Sequence, residues 1–184
     1  NLATRSLKDF LAQVHLNLKE NIYANNFFVA VYDNKENSIN FPYHVDEYYD
    51  TGQNYMKRNL GNGLIEYSLL QKKPLVLNKE ELEELIEHEK LFIYESILPA
   101  VQIMVPLKIN EQTTGVIGIK SYSDENKFSS SDLELLEFVS GQIAMTMERK
   151  KAEAELELQT ARLKAVFDSS SHLLWTVNTK RQLS

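Results

Sequence analysis

Apolar residues recur at three- and four-residue steps near the start of the chain, at Leu7, Leu11, Val14, Leu18 and Ile22 with Phe10 beside them, the stripe of one helix face. Ser6 and Asp9 stand at capping distance ahead of it. The pattern then changes. FFVAVYD at 27–33 is rich in β-branched and aromatic residues, NKEN is a polar turn, and SINFPYH at 38–44 returns, which predicts a hairpin with Pro42 near the end of its second strand. Residues 45–59 have no clear period and read as a long connection or short irregular helix, holding Tyr48, Tyr49 and Tyr55. A Gly61, Asn62, Gly63 turn leads into a short helix with Leu64, Ile65 and Leu69 on one side, then a short strand after Pro74. Residues 78–92 predict a helix with Leu82, Leu85, Ile86 and Phe92 inward and an acidic, solvated outer face. Two long strands, 100–109 and 115–123, follow around a polar loop, and Pro106 implies a bulge or an edge position.

The next stretch, 128–167, opens on Ser129 and Asp132, a capping pair. No proline and only one glycine, Gly141, interrupt it before the serines at 169–171, so the pattern predicts a helix of about 35 residues. Its first half carries Leu133, Leu136, Val139, Ile143 and Met147, widened by Leu135 and Phe138, a stripe for a globular core. Its second half steps through Met147, Lys151, Ala154, Leu158, Ala161 and Ala165 at heptad spacing, which reads either as a parallel seam with a second copy of the chain or as a solvated linker. The serines are expected to break the helix and HLLWTVN at 172–178 to form a strand opening a further domain, with little for Trp175 to pack on. The expected organisation is an α+β domain over 1–150 with an antiparallel sheet, a helical linker at 151–168, and the start of another domain at 169–184.

Charge and composition narrow the function. A formal net charge of -6 with no basic patch argues against a nucleic-acid surface. The absence of cysteine removes disulfides, thiolate metal sites and thiol nucleophiles. No apolar run reaches the ~20 residues that span a bilayer and the first residues lack a signal-peptide core, so a cytoplasmic setting without direct membrane contact is expected. The chain starts without methionine and reads as a piece of a longer protein.

Taken in order, Gly61-Asn62-Gly63-Leu64, Lys73-Pro74-Leu75-Val76, Val105-Pro106-Leu107, Gly115-Val116-Ile117-Gly118 and Phe128-Ser129 with Asp132-Leu133 resemble a GAF domain, the small-molecule-sensing module of cyclic-nucleotide phosphodiesterases, phytochromes and bacterial sensor histidine kinases. Arg162 to Phe167, the serines and Leu174-Trp175-Thr176-Val177-Asn178 resemble the opening of a PAS domain. The resemblance implies about six antiparallel strands, with the first and last helices packed together on one face and dimerising, and a ligand pocket on the other. It implies a non-catalytic sensory module, most readily of a two-component sensor histidine kinase, whose exit helix passes a signal to downstream PAS and kinase domains. The alternative is a ligand-free module that only dimerises and relays. A haem or flavin sensor is a third reading.

Departures from the family pattern are specific. Cyclic-nucleotide binders carry Asn-Lys, a gap, then Phe-x-x-x-Asp-Glu, whereas Asn126-Lys127 abuts Phe128 here and Asp132 precedes Leu133. Covalent bilin attachment and the chemistry of GAF-like methionine sulfoxide reductases both need cysteines. The residues that the resemblance sets around the pocket are Tyr32, Tyr43, Tyr67, Tyr94, Gln102 and Met104, aromatic walls with a few polar tips suited to a small organic ligand. Strand alternation puts Gln102 and Met104 on one face without saying which. The turn at 61–63 offers amides to an anion, although its ordinary role is the turn itself. His15, His44, His88 and His172 have no metal-ligand spacing, and His88 or His44 would be the candidates for a haem ligand. No catalytic constellation is evident, no metal site is expected, and the cofactor, if any, is unspecified.

Overall fold

The computed structural model describes residues 2–49 and 57–181, with side chains described over 7–49 and 57–169. Its elements are α1 (Leu2–Lys19), β1 (Asn26–Asp33), β2 (Ser38–Val45), β3 (Lys57–Asn59), α2 (Leu64–Gln71), β4 (Leu75–Asn78), α3 (Lys79–Glu89), β5 (Val101–Ile109), β6 (Gln112–Ser121) and α4 (Ser130–Arg181). The chain divides into two units, Asn1–Met147 and Glu148–Ser184.

In the first unit the strands form one sheet in the order β3-β2-β1-β6-β5-β4, every neighbouring pair antiparallel. The period-two alternation divides each strand between two cores. Phe27 and Val29, Ile103 and Val105, and Ile117 and Ile119 turn to one face, where they meet Leu11 and Leu18 of α1 and Leu136 and Ile143 of α4. Phe28 and Ala30, Met104 and Val116 turn to the other, beneath Leu64, Ile65 and Leu69 of α2. Each large side chain so buried contributes roughly 1.5–3 kcal/mol. The sheet thus has helices on both faces, as the α+β reading expects.

Local chemistry starts the helices. Asn78 accepts from the Glu81 amide at 2.9 Å while Glu81 accepts from the Asn78 amide at 2.9 Å, closing a capping box at α3. Ser129 and Asp132 do the same at α4: the Ser129 amide donates to Asp132 at 2.7 Å and the Asp132 amide to Ser129 at 3.3 Å. Pro106 takes the edge position, with a register shift one residue beyond it. The β5–β6 register shifts between Leu107 and Lys108, and β4 pairs with β5 only from Val101 to Met104, so Pro106 stands past the end of that neighbour.

Several features depart from the sequence pattern. The tripeptide strand β3 lies inside the stretch that shows no period, its Lys57, Arg58 and Asn59 pairing with Asn40, Ile39 and Ser38. Phe92 is 62% exposed and Phe138 64% exposed, so neither joins a core. The rest of the connection, 50–56 with Tyr55, lies outside the described residues.

In the second unit, Glu148–Ser184, the helix runs through the serines at 169–171 to Arg181, where a break and a strand are predicted. Hydroxyls fold back on the helix: Thr160 Oγ1 donates to the Leu156 carbonyl at 2.9 Å and Ser169 Oγ to the Val166 carbonyl at 2.8 Å. A helix also satisfies its backbone within the segment, whereas a strand needs a neighbour to pair with. The side chains of His172 and Trp175 lie outside those described. Leu156, Leu158, Leu163, Val166 and Phe167 are all exposed. No helix among the described residues is long and apolar enough to cross a membrane.

Candidate ligand cavity

A cavity of about 260 Å³ lies on the α2 face of the sheet. The sheet contributes Phe28, Phe41, His44 and Gln102; α2 contributes Leu64 and Ile65; α3 contributes Leu82 and Ile86. The segment that follows α3 completes it with Leu91, Phe92, Ile93, Tyr94, Glu95 and Leu98. The wall is apolar apart from a few groups: His44, Tyr49, Arg58, Tyr94, Glu95 and Gln102. Phe28 reaches the cavity because its partner in register on β6 is Gly118, where a Cβ would stand 2.3 Å from the Phe28 ring.

One side of the cavity is built by the glycine turn. Glu66, on the first turn of α2, accepts from the amides of Gly61 at 2.9 Å and Gly63 at 3.2 Å. Its carboxylate is also gripped by both terminal nitrogens of Arg58, with Nη2 to Oε2 at 2.9 Å. Burial alone would raise the Glu66 carboxyl; the Arg58 hydrogen bonds and charge with the Gly61 amide outweigh it and hold the group below its ordinary range. The amides that a phosphate would need are therefore given to a side chain of the protein itself. Arg58 in turn lies over the Tyr94 ring at 4.2 Å. Tyr94 closes on the turn so tightly that a Cβ at Gly61 would meet its hydroxyl at 2.3 Å, and one at Gly63 its ring at 2.8 Å.

The other polar side holds a buried ion cluster. Lys120 Nζ is 2.9 Å from Asp46 Oδ2 and 2.6 Å from Glu95 Oε1. The Tyr122 hydroxyl donates to Asp46 at 3.0 Å, and the Lys120 carbonyl accepts from Asn26 Nδ2 at 3.1 Å. Burial opposes ionisation of Asp46, but the Lys120 charge and hydrogen bond outweigh it and keep the carboxyl below its ordinary range; burial and the nearby Glu95 and Asp46 charges push the Tyr122 phenol up. His44 Nε2 lies 4.0 Å from Asp46. Burial first, and the Lys120 charge second, lower His44 from 6.5 to about 4 despite Asp46, so it is a neutral imidazole at neutral pH. Among the described residues no group of three histidines or carboxylates is arranged to hold a metal ion.

Of the residues that the sequence points to, Tyr94 and Gln102 line the cavity. Met104 shares the face of Gln102 but is sealed in the core beneath α2. Tyr32 packs on that core near the hairpin turn, where its hydroxyl donates to Asn37 at 3.2 Å, and it does not line the cavity. Tyr67 is half-buried on α2 and also stands outside the lining. Tyr43 lies on the opposite face, its hydroxyl 2.9 Å from His15 Nδ1, with His15 Nε2 bonded to the Ala24 carbonyl at 2.5 Å. The β-bulge in the β1–β2 register, between Val29 and Val31, separates the alternation of Tyr32 from that of Tyr43. His44 lines the cavity and His88 is exposed on α3 beside Glu89. Arg58, Glu95 and Lys120 carry the polar geometry although the sequence pattern does not point to them, but Lys120 leaves a trace: it follows Val116 and Gly118 at alternate positions and closes the apolar run 115–119 of β6.

The family model that describes a GAF domain matches the chain over residues 4–148. Among solved structures, the second GAF domain of DevS from Mycobacterium smegmatis superposes with a TM-score of 0.60 at 14% identity, covering 83% of this chain and 99% of that one. The type II free methionine-R-sulfoxide reductase of Thermoplasma acidophilum gives a TM-score of 0.61 at 18% identity, with 80% and 95% covered. A methyl-accepting chemotaxis protein, over its residues 122 to 287, gives 0.64 at 13% identity, with 79% and 91% covered. At such identities the likeness is one of fold. A comparison with curated proteins gives no match. Through residues 4–148, with a six-stranded antiparallel sheet carrying helices on both faces, the chain belongs to the GAF domain family.

Proposed function

We propose that this chain is the non-catalytic sensory part of a signal-transduction protein, a two-component sensor histidine kinase in the first instance, and that it binds a small organic molecule in the cavity. GAF domains are typical of sensory and regulatory signalling proteins. The observation that carries the binding reading is the cavity of about 260 Å³, apolar in most of its wall, with the polar tips of His44, Gln102 and Glu95 converging on it. A ligand-free relay would be expected to fill that volume with its own side chains. The absence of cysteine anywhere in the chain supports a binding module over thiol chemistry.

Output passes along α4 to downstream domains, a PAS domain then a kinase, with the chain working as a homodimer in the cytoplasm. The exposed Leu158, on the heptad stripe of Lys151, Ala154, Ala161 and Ala165, supports a helix seam in the second unit. Exposed Leu16, Phe138 and Met145 on α1 and α4 supply apolar surface for the same purpose in the first. Ligand binding shifts the population between two arrangements of the paired helices. Native mass spectrometry of gently purified protein tests both parts together: a dimer carrying a reproducible extra mass is the expected result, and a monomer at the bare chain mass contradicts it.

A further inference from the structure

We infer that the cavity selects a compact aromatic cation, of the amidinium or protonated-amine class, with the Glu95 carboxylate as its counterion; this rests on the ligand-binding reading above and adds the charge of the ligand. The charges around the cavity do not cancel. Arg58 is paired with Glu66, and Lys120 with both Asp46 and Glu95, so two cations meet three carboxylates and one negative charge is left over. Among the described residues no lysine or arginine besides Arg58 lines the cavity. His44 adds no positive charge at neutral pH.

Glu95 is the carboxylate placed to use that surplus. Asp46 is fully buried and shared among Lys120, Tyr122 and the Tyr48 amide, while Glu66 is spent on Arg58 and two backbone amides. Glu95 lines the cavity, its side chain is 32% exposed, and it gives one oxygen to Lys120, so lone pairs on the carboxylate stay open to a second donor. Neither cation is placed to receive an anion. Arg58 spends both terminal nitrogens on Glu66 and one of its faces on Tyr94, and Lys120 is 1% exposed behind its two carboxylates. An anionic ligand would have to pull Glu95 from Lys120 and would then face an unpaired carboxylate.

Size and wall chemistry agree with the charge. Cavities of about 150 Å³ hold benzene, so 260 Å³ suits a ring with a small substituent, about ten non-hydrogen atoms, and excludes a mononucleotide in this arrangement. Phe28, Phe41 and Phe92 in the lining supply aromatic wall for a planar cation.

The test is a series matched in shape and differing in charge, benzamidine, benzamide and benzoate, titrated into the 184-residue chain by calorimetry at pH 7. Benzamidinium is expected to bind about tenfold more tightly than benzamide, with benzoate weakest. Glu95→Gln should bring benzamidine down to the benzamide level and leave benzamide within about twofold. Benzoate binding as tightly as benzamidine, or a benzamidine preference that survives Glu95→Gln, overturns the charge assignment while leaving the cavity a binding site. No binding by any of the three overturns the binding reading itself and this inference with it.

Discussion

Lys120 and Asp46 form an ion pair at 2.9 Å with 1% and 0% of their side chains exposed, Lys120 standing on the sheet face that carries the largely apolar cavity. Removing one partner leaves the other charged and dry. Lys120→Met is expected to destabilise the domain by about 3–5 kcal/mol in urea unfolding, and Asp46→Asn by a similar amount. The double variant should cost clearly less than the two single losses added together, since it leaves no uncompensated charge. Additive losses would show that the pair does not act as a unit.

The contact between Tyr94 and the glycine turn predicts a background-dependent substitution. Gly61→Ala drives a methyl group onto the Tyr94 hydroxyl, whose oxygen lies 2.3 Å from the Cβ position, while the next ring atom is at 3.6 Å. The variant should lose about 1–3 kcal/mol in the native background and close to nothing in Tyr94→Phe, where the offending oxygen is gone. An equal loss in both backgrounds would place the cost elsewhere in the turn.

Acid should weaken the fold before the buried Asp46 and Glu66, both held low, titrate. His44 is held at about 4 against 6.5 by burial and by Lys120, with Asp46 opposing, and burial also lowers His15. A histidine with a lowered native value binds fewer protons folded than unfolded between the two values, so stability rises with pH across that interval. Stability is therefore full above about pH 6.5 and falls as pH drops toward 4, His44 alone accounting for about 3 kcal/mol at about 1.4 kcal/mol per unit. Below that, Asp46 and Glu66, both held low, add their own loss. Proton NMR titration of the His44 ring checks the assignment, and an inflection near 6.5 would refute it.

Much of the fold is legible in the sequence because its signals are local. The capping pair at Ser129 with Asp132, the strand-forming runs of β1, β5 and β6, and the proline at 106 each act within a few residues, and each appears where the pattern puts it. The tail is misread for the same reason. HLLWTVN looks like a strand residue by residue, yet whether it can be one depends on a pairing partner that a local pattern does not contain. The cavity is harder still. Tyr94 and Gln102 line it, but Tyr43, two residues past Phe41 on the same strand, belongs to the other core, and the β-bulge that decides this leaves no mark in composition. Lys120 is visible as a charge closing the apolar run 115–119; its partners Asp46 and Glu95 come from segments 74 and 25 residues away, a relation only the folded chain displays.

The proposed seam makes a prediction separable from the domain's stability. Leu158→Asp with Ala161→Asp should convert a dimer to a monomer in sedimentation experiments and leave the unfolding of the first unit unchanged, because both residues stand on the heptad stripe, are exposed and lie in the second. A dimer that persists would move the interface to Leu16, Phe138 and Met145.

Methyl and side-chain amide NMR with small aromatic fragments tests the binding cavity most directly. At saturation the account predicts shifts concentrated on Ile65, Leu82, Ile86 and the Gln102 amide, with the opposite-face methyls of Leu11 and Ile143 unmoved. Fragments that bind and perturb the α1 and α4 face instead, or that leave Gln102 and Ile65 unchanged, would contradict it.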